Sequence, residues 1–334
     1  MGQDPDAMSV AVAIVNYGTA EMVIEALPAL RRELAPLPRR VVFIVDNASP
    51  GDDAARLAEH LATSGPGGGP DPEIRLIASE RNGGFAAGNN LAFAAIRGLD
   101  WTPDAVLMLN PDAEPRPGAL REMLTVMAGR PKAGFVGPRL ENPDGSTWTA
   151  AFRFPTAMSE FAGATGIGAL IRRWPVVLPE SETPMRADWV TGAAMLARWE
   201  AIEAAGDMDE GYFLYYEEID FMRRAAEAGW QNWHAPSARV LHSAGGATGI
   251  LDGAPREGRM PDYWFGSWRR YFAKNHGAGY ARTAAALKLL GMAIGAAQRG
   301  LRGRSYGRAP GFWGDFLRKA LLASLSPLPR SEAP

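Results

Sequence analysis

Residues 213–224 read FLYYEEIDFMRR and place three carboxylates, Glu217, Glu218 and Asp220, inside a run of bulky aromatic and apolar side chains. Carboxylates resist burial, and an aromatic setting that excludes water is one in which a carboxylate can be tuned as a general base. A helix beginning near Glu217 puts Glu217 and Asp220 on one face and turns Glu218 about a third of a turn away. Glu218 is therefore the candidate base, with the other two in different roles. Acids in a first helical turn also favour the macrodipole, which accounts for at least one of the three without any chemistry.

Two further groups of residues could handle an anionic ligand. In NPDAE, residues 110–114, a short loop after an apolar run projects Asp112, and an oxygen ligand so placed suits a hard divalent cation such as Mg²⁺ or Mn²⁺ that shares its ligands with substrate phosphates. Of the four histidines, His242 alone ends an apolar strand, and its neutral imidazole could supply a second ligand; a packed, hydrogen-bonded histidine is the competing reading. In RNGGFAAGNN, Gly83 and Gly84 permit close backbone approach and positive φ, and the helix that follows is expected to offer free N–H groups to a phosphate. An ordinary glycine turn before a helix reads the same way.

The elements that must carry these residues alternate. SVAVAIVNY is a strand buried on both faces, ending at Asn16 and Tyr17, and Thr19 is placed to cap a helix through Leu34. RRVVFIVDNAS ends a second strand at Asp46 and Asn47, before the helix DDAARLAEHLA and the loop TSGPGGGPDP. EIRLIAS runs into the RNGG turn and its helix, and AVLMLN stops at NPDAEP before the helix PGALREMLTVMAG. Four strand-helix alternations predict an α/β fold with a doubly wound, mostly parallel sheet, whose ligands collect at the carboxyl ends of the strands. The polar residues cluster at those ends. After residue 137 the alternation breaks: GPRLENPDGSTWTAAFRFP reads as a hairpin, residues 156–185 show little periodicity, DWVTGAAMLARWEAIEAAG as strand then helix, and ARVLHSAGG as a last strand.

The chain has 334 residues, 47% of them hydrophobic, which is enough for a substantial core. It contains no cysteine, which excludes disulfides, thiolate metal sites and cysteine nucleophiles. The start, MGQDPDAM, lacks the basic and apolar pattern of a secretory signal, so the expected compartment is the cytoplasm. Charge is uneven: residues 1–254 carry 21 Lys and Arg against 33 Asp and Glu, whereas residues 255–334 carry 14 against 4. The expected divisions are a flexible start at 1–8, a catalytic domain at 9–254 with halves 9–137 and 138–254, and a helical, basic extension at 255–334.

Taken in order, VNY, VDNAS, RNGGFAAGNN, LNPDA, DWVTGAAM, YYEEIDFMRR and VLH resemble glycosyltransferase family 2, most similar to its bacterial rhamnosyltransferase-like branch, over about residues 9–245. The resemblance implies a GT-A fold, a nucleotide-diphospho-sugar donor, inversion at the anomeric carbon, and a Mg²⁺ or Mn²⁺ ion on the diphosphate. By the same resemblance Val15, Asn16, Tyr17 and Asp46 would embrace the nucleoside, Asp46 accepting from the base, and Asn82, Gly83, Gly84 and Asn89 would line the sugar-phosphate side. Asn110 stands where many members carry the first acid of an Asp-x-Asp motif, leaving Asp112 as the direct metal ligand and His242 as its partner. Glu218 falls at the catalytic-base position, with Glu for the commoner Asp, while Glu217 and Asp220 hold neighbours such as Arg224. Trp189, Thr191 and Gly192 fall in the acceptor-side wall.

The tail mixes aromatics with bases in PDYWFGSWRRYFAKNHGAGY and continues into an apolar run too short to cross a bilayer, which needs ~20 residues. Two readings stay open: residues 255–304 lie on an anionic membrane surface, matching a lipid-linked acceptor at the inner face of the cytoplasmic membrane, or they pack as a subdomain or homodimer contact. Nucleic acid is not expected as a partner. Among rival functions, a sugar-nucleotide pyrophosphorylase would need a basic Gly-rich loop after the first strand, which VNYGTAEM lacks, and a glycoside hydrolase using Asp112 and Glu218 would leave the nucleotide-facing residues without purpose. The alternative kept is a degenerate nucleotide-sugar-binding scaffold of the same fold, because the usual acids at 110 and 218 are replaced.

Overall fold

The computed structural model describes residues 4–63, 71–148, 150–242, 258–303, 307 and 309–323. The first half runs β1 (Val10–Asn16), α1 (Ala20–Leu34), β2 (Arg40–Asp46), α2 (Asp53–Thr63), β3 (Glu73–Ala78), α3 (Gly84–Arg97), β4 (Ala105–Leu109), β5 (Ala113–Pro115) and α4 (Ala119–Ala128). The second adds β6 (Ala133–Glu141), β7 (Thr147–Trp148), β8 (Ala151–Phe152), α5 (Ala157–Thr165), α6 (Gly168–Arg173), β9 (Met185–Ala187), β10 (Trp189–Val190), β11 (Ala194–Arg198), α7 (Trp199–Ala205), α8 (Glu217–Glu227) and β12 (Gln231–His242). The tail forms α9 (Asp262–His276), α10 (Ala278–Leu301) and α11 (Phe312–Phe316), the last widening into a π-helical stretch at Leu317–Leu322.

One sheet has the order β3-β2-β1-β4-β11-β6-β12-β5, with β7 beside β6 and β9 beside β12. β3, β2, β1 and β4 are parallel, β11 runs antiparallel to both β4 and β6, and β6 and β12 are parallel. Every long strand except β11 therefore points the same way, as the strand-helix alternation requires. Side chains alternate across it. Val10, Val12, Ile14, Val42, Ile44 and Leu107 pack under α1 and α4, whereas Ala11, Ala13, Val41, Phe43, Val106 and Met108 pack under α3, α7 and α8. Burial on both faces is why these strands read as unbroken apolar runs.

Several expectations change. Residues 156–185 hold α5 and α6, and α5 opens on a capping box in which Ser159 N–H donates to Thr156 Oγ1 and Thr156 N–H to Ser159 Oγ. Its small residues hid the periodicity because they let α10 come close: a β-carbon at Gly291 would run into the Phe161 carbonyl and Ala164. β12 begins earlier than ARVLH, at Gln231, and takes in Pro236 where its register against β6 shifts between Ala235 and Arg239. Of the start expected to be flexible, residues 4–8 are held, with Asp6 paired to Arg121 and Met8 in the core. The expected boundary at 254, parts of the TSGPGGGPDP loop and residues 243–257 lie outside the described residues.

The tail packs as a subdomain on the part of the chain that carries the sheet. Phe265, Trp268, Tyr271 and Phe272 of α9 join Tyr212, Ile219, Ala284, Met292 and Phe316 in a third core. Trp268 Nε1–H donates to Glu160 at 3.1 Å, and Lys288 of α10 pairs with the same carboxylate. The aromatic and basic stripe that suggested a membrane face is thus turned inward. Among the described residues no helix is long and apolar enough to cross a membrane.

Candidate active site

The carboxyl ends of β1, β2, β4 and β12 meet at one edge of the sheet, and the antiparallel β11 brings its beginning there, so Thr191 and Gly192 arrive beside Asn110, whose N–H donates to the Ala193 carbonyl. Asn16 is buried at the end of β1 and donates through Nδ2 to Asp46 at 2.8 Å, while Ser49 Oγ–H donates to the same carboxylate at 2.6 Å. Thr19, expected to cap α1, instead donates to Asn16 Oδ1, and the first amide of α1, that of Ala20, goes to Asp53. Asp46 and Asn16 therefore form a stiff floor, and Tyr17, 41% exposed, stands at its rim.

The RNGG turn differs from expectation. The Gly83 and Gly84 amides donate to Asn47 Oδ1 and Asn82 Oδ1, and the Phe85 amide donates to the Phe213 carbonyl at 3.1 Å. These N–H groups are consumed by the protein and are not free for a phosphate. Gly84 has φ +82°, and a β-carbon there would collide with the Phe213 carbonyl, so this glycine is required for a backbone-to-backbone approach. The turn thereby anchors the loop that leads into α8. Asn89 is buried, donates to the Phe85 carbonyl at 2.9 Å and leaves Oδ1 without a partner.

α8 starts at Glu217, as its acidic first turn predicts. Asp220, fully buried, accepts from Arg224 Nε at 3.0 Å and Lys274 Nζ at 2.8 Å. Asp220 thus does the neighbour-holding expected of it. Glu217 does not through its Oε2, which is buried without a hydrogen-bond partner, and burial beside the Glu218 charge pushes its carboxyl well above the usual range. Glu218 is half-buried with its Oε2 also unpartnered, and desolvation, only partly offset by the amides of Glu218 and Ile219, pushes it up to about 7. A β-carbon on Gly192 would lie 3.6 Å from Glu218 Cγ, so the Thr191–Gly192 segment forms a wall of the same pocket. Trp189 stacks on Phe152 at 4.2 Å and 17°, its Nε1–H held by the Arg153 carbonyl.

At the far side, Asp112 and His242 come together, Nε2 to Oδ1, at 3.3 Å, with side chains only 3% and 11% exposed. Asp112 Oδ1 and His242 Nδ1 lack hydrogen bonds. The unpartnered Asp112 Oδ1 and the His242 Nε2 that faces it would fit two ligand positions of a divalent ion, Mn²⁺ better than Mg²⁺ because of the nitrogen, that takes its other ligands from a diphosphate. Among the described residues no group of three His, Asp or Glu could hold an ion by itself.

Sequence reasoning left Asn47, Ser49, Asp53, Asn90, Asp209 and Lys274 outside the site. Asn47 and Ser49 sit in the VDNAS motif and carried a signal. Asn90, which holds the Met208 backbone through both its donor and acceptor, follows Asn89 directly. Asp209 and Lys274 gave none, since their meeting depends on how the tail docks.

Residues 9–172 match the profile of Glycosyl transferase family 2. The chain is 32% identical over 191 residues to the N-acetylglucosaminyl-diphospho-decaprenol L-rhamnosyltransferase of Mycobacterium tuberculosis, covering 53% of this chain and 61% of that protein. It is 26% identical over 164 residues to the rhamnosyltransferase WbbL of Escherichia coli, covering 48% and 61%. The chain thus matches about three fifths of the length of these curated relatives. Among solved structures, the mannosyltransferase PcManGT of Pyrobaculum calidifontis, in complex with GDP-Man and Mn²⁺, superposes with a TM-score of 0.55 at 16% identity over 98% of this chain and 90% of that one, a likeness of fold. With its motifs in order along the carboxyl edge of the sheet, the chain is similar to glycosyltransferase family 2 through residues 9–172.

Proposed function

We propose that the chain is an inverting glycosyltransferase that moves a hexose from a nucleotide-diphospho-sugar to a hydroxyl of a glycan or lipid-linked glycan in surface polysaccharide synthesis, with dTDP-rhamnose as the leading donor. The observation that carries this reading is Glu218, a carboxylate pushed up to about 7, set against Gly192 on the same sheet edge that gathers Asn16, Asp46, Asp112 and His242. A base poised near neutral pH suits removal of a hydroxyl proton. Glu218 takes that proton as the acceptor oxygen attacks the anomeric carbon, and the bond to the diphosphate breaks on the opposite face. Val15, Asn16, Tyr17 and Asp46 cradle the nucleoside, Asn82, Gly83, Gly84, Asn89 and Asn110 border the sugar-phosphate, and Trp189, Thr191 and Gly192 guide the acceptor.

Asp112 and His242 would hold Mn²⁺ or Mg²⁺, which supplies charge stabilisation for the departing diphosphate. Rhamnose is supported by the two rhamnosyltransferase relatives, and a lipid-linked acceptor by the mycobacterial one. Such an acceptor places the work at the inner face of the cytoplasmic membrane, approached peripherally.

The test is a panel of dTDP-, UDP- and GDP-sugars, with and without Mn²⁺, read by thermal stability and nucleoside diphosphate release together. One donor should stabilise the protein and be turned over only with metal, and Asp112→Ala should lose both that stabilisation and the turnover. Binding without any release in every combination would overturn the transferase reading.

A further inference from the structure

The loop entering α8 is held in a conformation that its residues do not favour. Tyr215 and Tyr216, immediately before Glu217, both have φ of +71°. Left-handed backbone at a non-glycine residue is unfavourable and persists only where the surroundings over-determine it. Here the surroundings are one face of α9, a helix outside the 9–172 profile match.

Along that face, Tyr263 packs on Phe213 and Tyr215 at ring-centroid distances of 5.2 and 6.3 Å, and Tyr271 packs on Tyr216 at 5.4 Å. Ser267 Oγ–H donates to the Leu214 carbonyl at 2.9 Å. Arg270 grips Asp209 with Nη2 2.7 Å from its carboxylate, and Lys274 Nζ reaches Asp209 at 2.7 Å and Asp220 at 2.8 Å. Residues 263, 267, 270, 271 and 274 recur at helical spacing, so a single stripe meets the whole loop. Although burial raises Asp209, its hydrogen bonds from Arg270 and Lys274 outweigh this and hold it at about 2, so it stays ionised as an anchor.

Resting on the transferase reading, we propose that Lys274 is a positioning residue for the reaction: by joining Asp209, ahead of the loop, to Asp220, in the first turn of α8, its ammonium fixes the strained turn that aims Glu218. An ammonium with three donors on a flexible stem can meet two carboxylates from separate elements at one point. The site is then incomplete without the tail, although Lys274 itself touches no substrate.

The experiment compares wild type, Lys274→Met, Lys274→Arg and Ser267→Ala as full chains, by donor affinity, turnover, and amide hydrogen exchange over 209–218. Lys274→Met should keep donor affinity within about threefold, lose turnover by about 30- to 100-fold, as a misplacement of about 1 Å does, and lose protection over 209–218. Lys274→Arg should recover most of the turnover. Ser267→Ala, which removes only a hydroxyl, should show a milder drop of about threefold with the same local exchange, and serves if the methionine variant does not fold. Unchanged turnover with unchanged exchange in Lys274→Met, or a loss of donor affinity that matches the loss of turnover, would overturn the assignment. Absence of turnover by wild type sinks the transferase reading separately; exchange over 209–218 then decides the clamp, and no difference from wild type in Lys274→Met overturns it.

Discussion

Glu218 titrates near the middle of the physiological range, so a reaction that needs it ionised gains rate as pH climbs through about 7. The acidic limb of kcat/KM should bend there, and Glu218→Gln should lower kcat by about 10²- to 10⁴-fold with donor affinity kept, measured by isothermal titration. The same shift has a cost in stability. The folded carboxyl keeps its proton to about 7 whereas an unfolded glutamate releases it near 4.5, so between those values the native state binds more protons and stability falls as pH rises. Glu218→Gln removes that loss: in urea melts it should be more stable than wild type by about 3 kcal/mol at pH 8 and nearly equal to it at pH 4.5. The type and placement of this residue were readable in the sequence, because three acids among aromatics mark a helix start. Its tuned acidity was not, since that comes from Gly192 and the surrounding core closing over it.

At the scale of elements, the contact between the RNGG turn and the loop before α8 joins the two halves of the site. Gly84 makes it possible by allowing φ +82° and leaving room for the Phe213 carbonyl. Gly84→Ala should destabilise the fold by about 3 kcal/mol and weaken turnover more than donor affinity, because the loop, and with it Glu218, must move. Thermal melting and steady-state kinetics on the same preparation would check both parts. The glycines were visible as a turn, but the partners of its amides were not. A helix start offers free amides only until something else takes them, and here Asn47, Asn82 and the Phe213 carbonyl do. In contrast, the Asp220–Arg224 pair lies within one helix and follows from spacing alone.

For the whole molecule, the third core makes the tail part of the fold. Trp268 is fully buried at its centre, against Phe272 and Phe316. Trp268→Ala should cost about 3–5 kcal/mol and reduce turnover, with a single unfolding transition retained in chemical denaturation. Leu301, 90% exposed at the end of α10, is the control: Leu301→Ala should change stability by no more than about 0.5 kcal/mol. Two separate transitions would show instead that the tail folds apart from the sheet.

The sequence by itself determined the parallel sheet, the order of polar strand ends and the start of α8. Each rests on local pattern: apolar runs that only a doubly covered strand explains, and acids where a helix dipole welcomes them. Only the tertiary structure decided that Asp112 meets His242, that the amides of the glycine turn are spent inside the protein, and that the aromatic and basic face of α9 looks at carboxylates. An amphipathic stripe of Trp, Tyr, Arg and Lys has the same periodicity against an anionic membrane as against the half-buried Asp209 and the buried Asp220. What it faces is set by long-range packing, which periodicity does not encode.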